Sequence, residues 1–442
     1  MQTHFRLEQL QDPAVAESAK IVRSCVHCGM CTATCPTYVL LGDELDSPRG
    51  RISLIKDMLE SGRPATPIVV KHIDRCLSCL SCVSTCPSGV DYMHLVDHAR
   101  AHIRQTFRRP LSDRLLRYVL ALVVPRPPLF RWALHIARWT KPLHRLLPGR
   151  LRSLAQLAPA RIPRASVEDQ PGVRRAVGAR RARVALLTGC AQQVLAPSIN
   201  EATLRLLTRS GCDVVIAPGT SCCGALVHHL GDEDDALDSA RRNVDAWTRE
   251  LERESLDAVI VNASGCGTMI KDYGFMLRLD PVYAERARRI SALARDVCEY
   301  LATVGFAPRT PAVPPLRVAY QAACSLQHGQ RIHRQPRTLL ASAGFSVIDL
   351  AEDHLCCGSA GTYSILQPEL ANQLRARKLA NIAACRPDVV ASGNIGCISH
   401  IGQDSDIPVV HTAELLDWAS GGPIPPSLAA SISTSTATWS RP

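Results

Sequence analysis

Two runs of four cysteines dominate the first hundred residues and limit what this part of the chain can fold into. Each run has the spacing C-x2-C-x2-C-x3-C and is followed by a proline. The eight residues are Cys25, Cys28, Cys31, Cys35, Cys76, Cys79, Cys82 and Cys86. The first three thiolates of such a run hold three corners of an iron–sulfur cubane, and the fourth reaches across to the other cluster. The runs therefore predict a helical, ferredoxin-type domain with two [4Fe-4S] clusters.

The crossing of the fourth cysteines defines the predicted ligand sets. The first cluster is assigned to Cys25, Cys28, Cys31 and Cys86. The second cluster is assigned to Cys76, Cys79, Cys82 and Cys35. Two zinc sites are the alternative, each with four ligands in a C-x2-C…C-x2-C arrangement. Two complete runs with trailing prolines favour the clusters, and crossed ligands place them close enough for one-electron relay.

The chain has 442 residues and 19 cysteines, and its first residues contain no apolar signal segment. Its length suggests about three folded units. The longest strongly apolar run, from Tyr118 to Val124, is far shorter than the roughly 20 residues of a membrane helix. A cytoplasmic chain of this size keeps its thiols reduced. We therefore expect a cytoplasmic protein whose cysteines bind metal.

A helix is predicted between the two cysteine runs. Ser47 is a suitable N-cap and Pro48 a suitable first helical residue. An inward-facing apolar stripe follows, formed by Ile52, Leu54, Ile55, Met58 and Leu59. The first turn also carries Arg49 and Arg51, which either steady the negatively charged clusters or remain solvated.

The positive charge of the chain is concentrated in one segment. Residues 100 to 183 carry a net charge of +17, whereas the rest of the chain carries −6. Apolar and basic residues alternate there in an amphipathic pattern: Trp132, Leu134, Ile136 and Trp139 among Arg131, Arg138, Lys141 and Arg145. Such a helix could lie on anionic lipid, dock on a partner subunit, or present a solvated arginine face. No nucleic-acid-binding motif accompanies the charge, so no nucleic-acid partner is expected. Residues 159 to 182 lose the periodicity and are predicted to be a linker.

The C-terminal half contains an internal repeat. Residues 183–190 match 317–324, residues 221–225 match 355–359, and residues 257–266 match 388–397. Each copy reads as strand, helix, strand, Cys-Cys-Gly turn, helix and strand, which indicates parallel α/β units. Cys190 and Cys266 then follow the carboxyl ends of strands, where open α/β sheets place their ligand sites.

Four cysteines recur in register in the two copies and are predicted to form a redox or metal site. They are Cys190, Cys222, Cys223 and Cys266, and Cys324, Cys356, Cys357 and Cys397. Each group could hold an iron–sulfur centre, hold zinc, or cycle between dithiol and disulfide.

Several other candidate residues have no counterpart in the second copy. Cys212, Cys298 and Cys385 do not recur and are interpreted as buried thiols. His228 and His229 do not recur either, and they are interpreted as satisfied histidines instead of ligands.

No motif for an organic redox cofactor is present. We find no G-x-G-x-x-G after a strand, no Walker A motif and no G-x-S-x-G. Hydride chemistry on an organic substrate needs a flavin or a nicotinamide. The chain is therefore expected to conduct electrons for a partner that binds such a cofactor, and no catalytic residue is assigned to it.

The order of two ferredoxin-type motifs, a linker and two Cys-Cys-Gly repeats resembles a known family. It is similar to the iron–sulfur electron-transfer subunits of heterodisulfide reductases, anaerobic glycerol-3-phosphate dehydrogenase, lactate-utilisation complexes and glycolate oxidase. The sequence most resembles the glycolate oxidase (glycolate dehydrogenase) iron–sulfur subunits. The segments that carry this resemblance are residues 25–38, 41–46, 48–51, 263–267 and 354–363. The likeness covers roughly residues 15 to 420.

This resemblance implies an α+β multidomain fold, with the two-cluster domain followed by the duplicated α/β repeats. The expected divisions are 1–105, 106–182, 183–310, 311–420 and a disordered tail, 421–442. It also implies FAD on partner subunits that oxidise glycolate to glyoxylate, and electron delivery to a membrane quinone from the inner face of the cytoplasmic membrane. The alternatives are a thiol–disulfide reductase subunit and an electron-transfer subunit of a glycerol-3-phosphate or lactate dehydrogenase.

The repeats depart from the fullest form of the family motif at two places. Met269 and His400 occupy positions where a further cysteine would complete a C-x2-C pair. Ala322 and Ala323 precede Cys324 where relatives often have another cysteine. These departures weaken the expectation of a non-cubane cluster of the heterodisulfide reductase kind.

Overall fold

The computed structural model describes residues 1–140, 159, 161–308 and 315–429. Its N-terminal part is helical. The helices are α1 (Pro13–Ser24), α2 (Pro36–Leu41), α3 (Pro48–Ser61), α4 (Pro67–Asp74), α5 (Ser81–Thr85), α6 (Tyr92–Thr106), α7 (Leu111–Val123) and α8 (Pro127–Thr140). Three of them, α1, α3 and α6, pack together around an apolar core that includes Val22, Ile55 and Leu95.

The helix predicted between the cysteine runs is confirmed as α3. The Ser47 side chain accepts a hydrogen bond from the backbone N–H of Gly50, and Pro48 is the first helical residue. Ile52, Ile55, Met58 and Leu59 are buried in the core of the domain, and Leu54 packs against it. The apolar stripe thereby fixes the helix between the two cysteine runs.

The C-terminal part contains two sheets. Their strands are β1 (Gly172–Arg174), β2 (Ala182–Leu187), β3 (Cys212–Ile216), β4 (Ala258–Val261) and β5 (Ala294–Asp296), and β6 (Arg317–Gln321), β7 (Ser346–Asp349), β8 (Val389–Ser392) and β9 (Val409–His411). The first sheet has the order β1-β3-β2-β4-β5 and the second the order β7-β6-β8-β9. All neighbouring strands are parallel except β1, which runs antiparallel to β3.

Helices cover both sheets. They are α9 (Ala191–Leu195), α10 (Ser198–Arg209), α11 (Ala225–His229), α12 (Glu233–Arg253), α13 (Ser264–Met276), α14 (Ala284–Leu293), α15 (Val297–Val304), α16 (Gln335–Ser342), α17 (Tyr363–Leu366), α18 (Pro368–Cys385), α19 (Ile395–Gly402) and α20 (Thr412–Ala419). The two repeats share one apolar core, to which both sheets contribute. The predicted α+β architecture, a helical two-cluster domain followed by duplicated α/β repeats, is confirmed.

Two expectations about the connecting segments are corrected. The linker expected at residues 159–182 contains β1, which extends the first sheet, and a 3-10 turn at Val167–Asp169. Strand β1 is too short to show periodicity, and its pairing with β3 determines its structure. The tail expected from residue 421 is ordered up to residue 429, because Leu428 is buried in the shared core. Residues 430–442 lie outside the described part.

No helix within residues 1–140, 161–308 and 315–429 combines the length and apolar character needed to cross a bilayer. The amphipathic pattern predicted around residues 131–145 falls partly on α8. Lys141 and Arg145 lie outside the described residues.

Candidate iron–sulfur and thiol sites

The four cysteines assigned to the first cluster surround one cavity. Cys25, Cys28, Cys31 and Cys86 all line it, together with Cys82, which is assigned to the second cluster, and with Val26 and Tyr92. The first three lie in the loop after α1, and Cys86 follows α5, so the second run supplies the fourth thiol. Cys28 is exposed, whereas Cys25 is buried. This cavity therefore opens toward solvent on the Cys28 side.

The four cysteines assigned to the second cluster are all buried. Cys76, Cys79, Cys82 and Cys35 are each exposed by less than a tenth. Burial raises the pKa of Cys79 and Cys82 far above the ordinary value, and the nearby Cys35 and Cys76 thiols raise it further. Cys35 therefore lies near Cys79 and Cys82 of the second run, and it also lies near Cys31 of the first run. The second group is deeper than the first.

A buried ionic network holds Cys35 in place. Arg51 is 1% exposed and donates from Nη2 to Thr37 Oγ1 at 2.9 Å and from Nε to the backbone carbonyl of His72 at 2.7 Å. Its Nη1 lies 3.7 Å from Cys35 Sγ. Arg51 also pairs with the fully buried Asp46 at 3.3 Å. Of the two interpretations given for Arg51, the solvated one is wrong.

Asp46 is the centre of this network. Its other contacts are His72 Nδ1 at 2.9 Å and Arg75 Nη1 at 2.7 Å. A buried carboxylate is costly unless it is paired, and here two guanidinium groups and an imidazole surround it. Asp43, Asp46 and His72 come close enough together to hold a cation. The two arginine side chains already compensate the Asp46 charge.

Arg49 has a different environment. It pairs with Glu44 at 2.6 Å on the surface, and this pairing lowers the pKa of Glu44. Its guanidinium group lies beside Gly29, close to the first cavity. The two arginines of the motif therefore face different cysteine groups.

Gly50 allows α3 to approach the chain before it. A Cβ atom at this position would lie 2.0 Å from the backbone carbonyl oxygen of Glu44. No side chain fits there, because the clash would be with backbone. The glycine of the Pro48–Arg51 motif is therefore required by packing.

The charges near Cys76 favour its thiolate. Burial by itself raises the pKa of Cys76, but the guanidinium groups of Arg51 and Arg100 outweigh burial and lower it below the ordinary value. Arg100 also donates to the backbone carbonyl of Cys76 at 2.8 Å. Iron binds the thiolate form of cysteine. The donor set, the cavity and these cations fit two four-thiolate iron–sulfur clusters.

The repeat cysteines of the first copy converge at the carboxyl edge of the first sheet. Cys190 follows β2, Cys222 and Cys223 follow β3, and Cys266 lies in the first turn of α13 after β4. Cys190 Sγ and Cys222 Sγ are 3.5 Å apart. Hydrogen bonding with the Cys190 and Cys223 side chains lowers the pKa of Cys222 well below the ordinary value. Cys222 is therefore a thiol of this group whose ionisation the neighbouring thiols favour.

The second copy has the same arrangement with different neighbours. Cys324 Sγ and Cys356 Sγ are 3.8 Å apart. Hydrogen bonds from Cys356 and Cys397 lower the pKa of Cys357, and the nearby His400 lowers it further. The side chain of Lys378 is also buried near these thiols. Burial lowers the pKa of Lys378, and the negative charge of nearby thiolates opposes that effect. Both groups have the donor chemistry for an iron–sulfur centre, for zinc or for a dithiol.

The cysteines outside these groups divide into two kinds. Cys212 and Cys298 are fully buried, as the buried-thiol interpretation predicts. Cys385 is partly exposed at the end of α18, so that interpretation is wrong for it. The sequence offers no periodic apolar stripe in α18 from which this exposure could have been anticipated.

His228 and His229 both face Asp97 of the N-terminal domain. The closest atoms are 3.4 Å and 3.7 Å apart, respectively. Burial opposes the Asp97 charge, but the two histidines lower the pKa of Asp97 well below its usual range. They are therefore contacts between domains. The interpretation as satisfied histidines is incomplete for His228, because its Nδ1 is buried without a hydrogen-bond partner.

A third histidine, which the sequence analysis missed, joins the same domains. His94 on α6 contacts Asp91 at 2.5 Å and Asp272 of the first repeat at 2.9 Å. Its ring stacks on Phe275 with the ring centroids 3.5 Å apart. Burial opposes protonation, but the two carboxylates raise the pKa of His94 to about 10. Because Asp272 is 178 residues away, no local pattern could have identified this contact between domains.

The second repeat packs directly on the second cysteine group. Cys79 shares one apolar cluster with Cys356, Tyr363 and Leu370, and Cys324 packs against that cluster. Burial raises the Cys79 pKa, and the Cys324 thiol raises it next most strongly. Ser84 Oγ and His328 Nδ1 form a hydrogen bond at 2.7 Å, and the Tyr363 hydroxyl donates to the Arg75 carbonyl at 3.1 Å. The second repeat thus brings its thiols into apolar contact with Cys79 of the N-terminal domain.

Two family descriptions match the chain. Residues 21–90 match the family described as a 4Fe-4S dicluster domain. Residues 184–271 and 318–402 both match the family described as a cysteine-rich domain. These ranges contain all eight cysteines of the two runs and all eight repeat cysteines.

Similar proteins include full-length relatives. The chain is 41% identical to the glycolate oxidase iron–sulfur subunit of Escherichia coli, over 95% of this chain and 99% of that protein. It is 32% identical to a probable glycolate oxidase iron–sulfur subunit of Bacillus subtilis, over 90% and 94% of the two chains. Lactate utilization protein A of Exiguobacterium is 27% identical over 53% of this chain. A crystal structure of a hypothetical protein from Helicobacter pylori, 10% identical, has a similar fold with a TM-score of 0.55, covering 95% of this chain and 74% of that one.

Proposed function

Since the chain belongs to the family of glycolate oxidase iron–sulfur subunits, we propose that it carries single electrons from FAD-containing partner subunits that oxidise glycolate to glyoxylate. It is a subunit of an oxidoreductase complex, and the catalytic pocket lies on its partners. The observation that supports this proposal most is the proximity of thiols from both runs. Cys86 lines the cavity of Cys25, Cys28 and Cys31, and Cys35 lies near Cys79 and Cys82.

The proposed ligand sets are those predicted from the spacing. Cys25, Cys28, Cys31 and Cys86 hold the first [4Fe-4S] cluster, and Cys76, Cys79, Cys82 and Cys35 hold the second. Bound clusters of this kind accept and release one electron at a time. The chain's own residues orient the thiolates, exclude water from the second group, and supply the positive charge of Arg51 and Arg100.

In the proposal, the path of the electrons continues from the two clusters into the Cys-Cys-Gly repeats. The four thiols Cys324, Cys356, Cys357 and Cys397 form a further redox or metal site, and Cys190, Cys222, Cys223 and Cys266 form its counterpart. The apolar contact between Cys79 and the second-repeat thiols supports electron transfer to that repeat. The final acceptor in the proposal is a membrane quinone, reached from the inner face of the cytoplasmic membrane.

Replacement of single ligands tests the crossed assignment. In anaerobically purified complex, Cys86→Ser should remove the same EPR signal as Cys25→Ser, and Cys35→Ser the same signal as Cys76→Ser. Iron should fall from about eight atoms per chain to about four in each variant, if only the two cubanes are counted. Cys298→Ser, a buried thiol outside every group, is the matched control and should keep all iron. If Cys86→Ser and Cys76→Ser removed the same EPR signal, the assignment would be overturned.

A second candidate function is a thiol–disulfide reductase at the repeats. The Sγ separations of 3.5 Å and 3.8 Å favour it, because pairs this close need little movement to form a disulfide. Cys222→Ser and Cys356→Ser test this function, because each removes one thiol of a close pair. Unchanged glycolate-dependent dye reduction in both variants would exclude a catalytic role of the repeats in that reaction.

A further inference from the structure

Exposed apolar side chains are concentrated on two consecutive helices. Of the twenty large apolar residues that are exposed in the described part of the chain, nine lie between residues 111 and 139, on α7 and α8. They are Leu111, Leu115, Tyr118, Val119, Leu122, Leu129, Trp132, Ile136 and Trp139. Isolated exposed apolar residues are normal on a protein surface, whereas a concentration of this kind marks an interaction site.

On α7 these residues form one face. At about 100° per residue, Leu111, Leu115 and Tyr118 lie within a narrow sector of the helix. The buried residues, Arg117 and Leu120, lie on the opposite side. Arg117 is held there by ion pairs with Asp74 and Asp113, each at 3.0 Å. The helix is therefore anchored by one side, and its apolar face points to solvent.

Helix α8 has the same arrangement and buries no residue fully. Trp132, Ile136 and Trp139 recur at helical spacing, and the two tryptophans are 69% and 77% exposed. Arg131 lies on the other side, where it donates to the carbonyl of Gln193 at 3.0 Å. The packed side and the apolar side of α8 are thus distinct as well.

The charge around these faces is positive. Arg108, Arg114 and Arg126 are exposed, and none has an ion-pair partner among the described residues. The single acidic residue between residues 100 and 140, Asp113, is paired with Arg109 and Arg117. Tryptophan, tyrosine and leucine flanked by arginine are typical of helices that lie in the interface of an anionic bilayer.

We propose that α7 and α8 form a bilayer-docking surface for anionic lipid, with Tyr118, Trp132 and Trp139 entering the headgroup region and Arg108, Arg114 and Arg126 contacting lipid phosphates. This inference rests on the proposed delivery of electrons to a membrane quinone and identifies the surface that brings the chain to the membrane. Charge complementarity selects lipid as the occupant, since each arginine near an anionic surface strengthens binding.

Vesicle flotation of the full-length, cluster-loaded chain tests this surface. Vesicles of 30% phosphatidylglycerol in phosphatidylcholine should carry the protein, and pure phosphatidylcholine should carry at least about tenfold less. Tryptophan fluorescence should shift to the blue on binding. The combined variant Leu115→Ser, Trp132→Ser, Trp139→Ser should lose flotation. The matched control, Leu279→Ser with Val282→Ser, removes two exposed apolar side chains elsewhere and should float normally.

A charge variant separates the electrostatic contribution. Arg108→Gln with Arg114→Gln and Arg126→Gln should weaken flotation about tenfold or more at low salt, and salt should weaken wild-type binding in the same way. Far-UV circular dichroism and iron content should match wild type in every variant, so that a loss of flotation reports on the surface.

Three results would overturn the proposal. Wild type failing to float on anionic vesicles is the first. The second is loss of partner-subunit co-purification in the serine variant while flotation persists, since a protein would then cover the surface. The third is tryptophans shielded from acrylamide before any lipid is added, since residues outside the described part would then cover it. Electron transfer from glycolate to a soluble dye would persist in the wild-type complex in all three cases, whereas failure of the proposed function would abolish it regardless of lipid.

Discussion

Removal of the Arg51 charge is expected to lower the reduction potential of the second cluster. Arg51→Met keeps the length of the side chain and removes its positive charge from beside Cys35, whose Sγ is 3.7 Å from Nη1. For a charge separation of about 6 Å and an effective dielectric constant of about 20, Coulomb's law gives about 3 kcal/mol. For one electron this is about 120 mV, since a tenfold change in the equilibrium constant is 59 mV. Relaxation of Arg75 and of bound water should reduce the observed shift to about 50–120 mV.

The assay is an anaerobic redox titration of the complex followed by EPR. Arg51→Lys keeps the charge and should retain most of the wild-type potential, although it loses the paired hydrogen bonds to Thr37 and His72. Arg49→Gln is the matched control, because it removes an exposed charge paired with Glu44. It should leave the second cluster within about 20 mV of wild type. An Arg51→Met potential equal to wild type, or a fall of the same size in Arg51→Lys, would refute the electrostatic reasoning.

Three further outcomes are expected. Gly50→Ala should lower the free energy of unfolding by about 3 kcal/mol or more, because its Cβ meets the Glu44 carbonyl. Gly265→Ala lies in a helix with open space around it and should leave the free energy of unfolding unchanged or raise it by up to about 1 kcal/mol. Equal thermal shifts of the two variants would contradict this. His94→Gln should lose about 2–4 kcal/mol of stability near pH 7. The raised His94 pKa of about 10 makes this contribution complete below about pH 6.5 and lost as the pH rises through 10, so denaturant titrations in which the difference grows above pH 10 would disprove the link. Anaerobic chelation of iron should unfold the N-terminal domain at a lower temperature than the repeats, and calorimetry with unchanged transitions would exclude this.

The cysteine spacing predicted the helical two-cluster domain, and the internal repeat predicted the two α/β units. The crossed ligand sets followed from a local pattern, because a short loop of fixed spacing can hold only certain thiols around one cluster. Local patterns also predicted the repeat, the succession of strands and helices around its Cys-Cys-Gly turns, and the start of α3 at Pro48. Each depends on residues close in sequence or on self-similarity.

The remaining features depend on long-range contacts. The segment that contains β1 was predicted to be a linker, because a strand of three residues is too short to show an alternating apolar pattern. Its pairing with β3 is visible only in the structure. The His94–Asp272 contact joins residues from two domains. The sequence analysis assigned no role to the Asp46 carboxylate, and only the fold surrounds it with Arg51 and Arg75. Such tertiary contacts have no signature in a single sequence.

EPR of the anaerobic complex mixed with glycolate tests the central claim most directly. Glycolate should reduce the FAD-containing partners, and the signals of two interacting clusters in this chain should appear within the time of one turnover. Full-rate reduction of the terminal acceptor with both clusters still oxidised would contradict the account, as would a chain that contains zinc and no acid-labile sulfide.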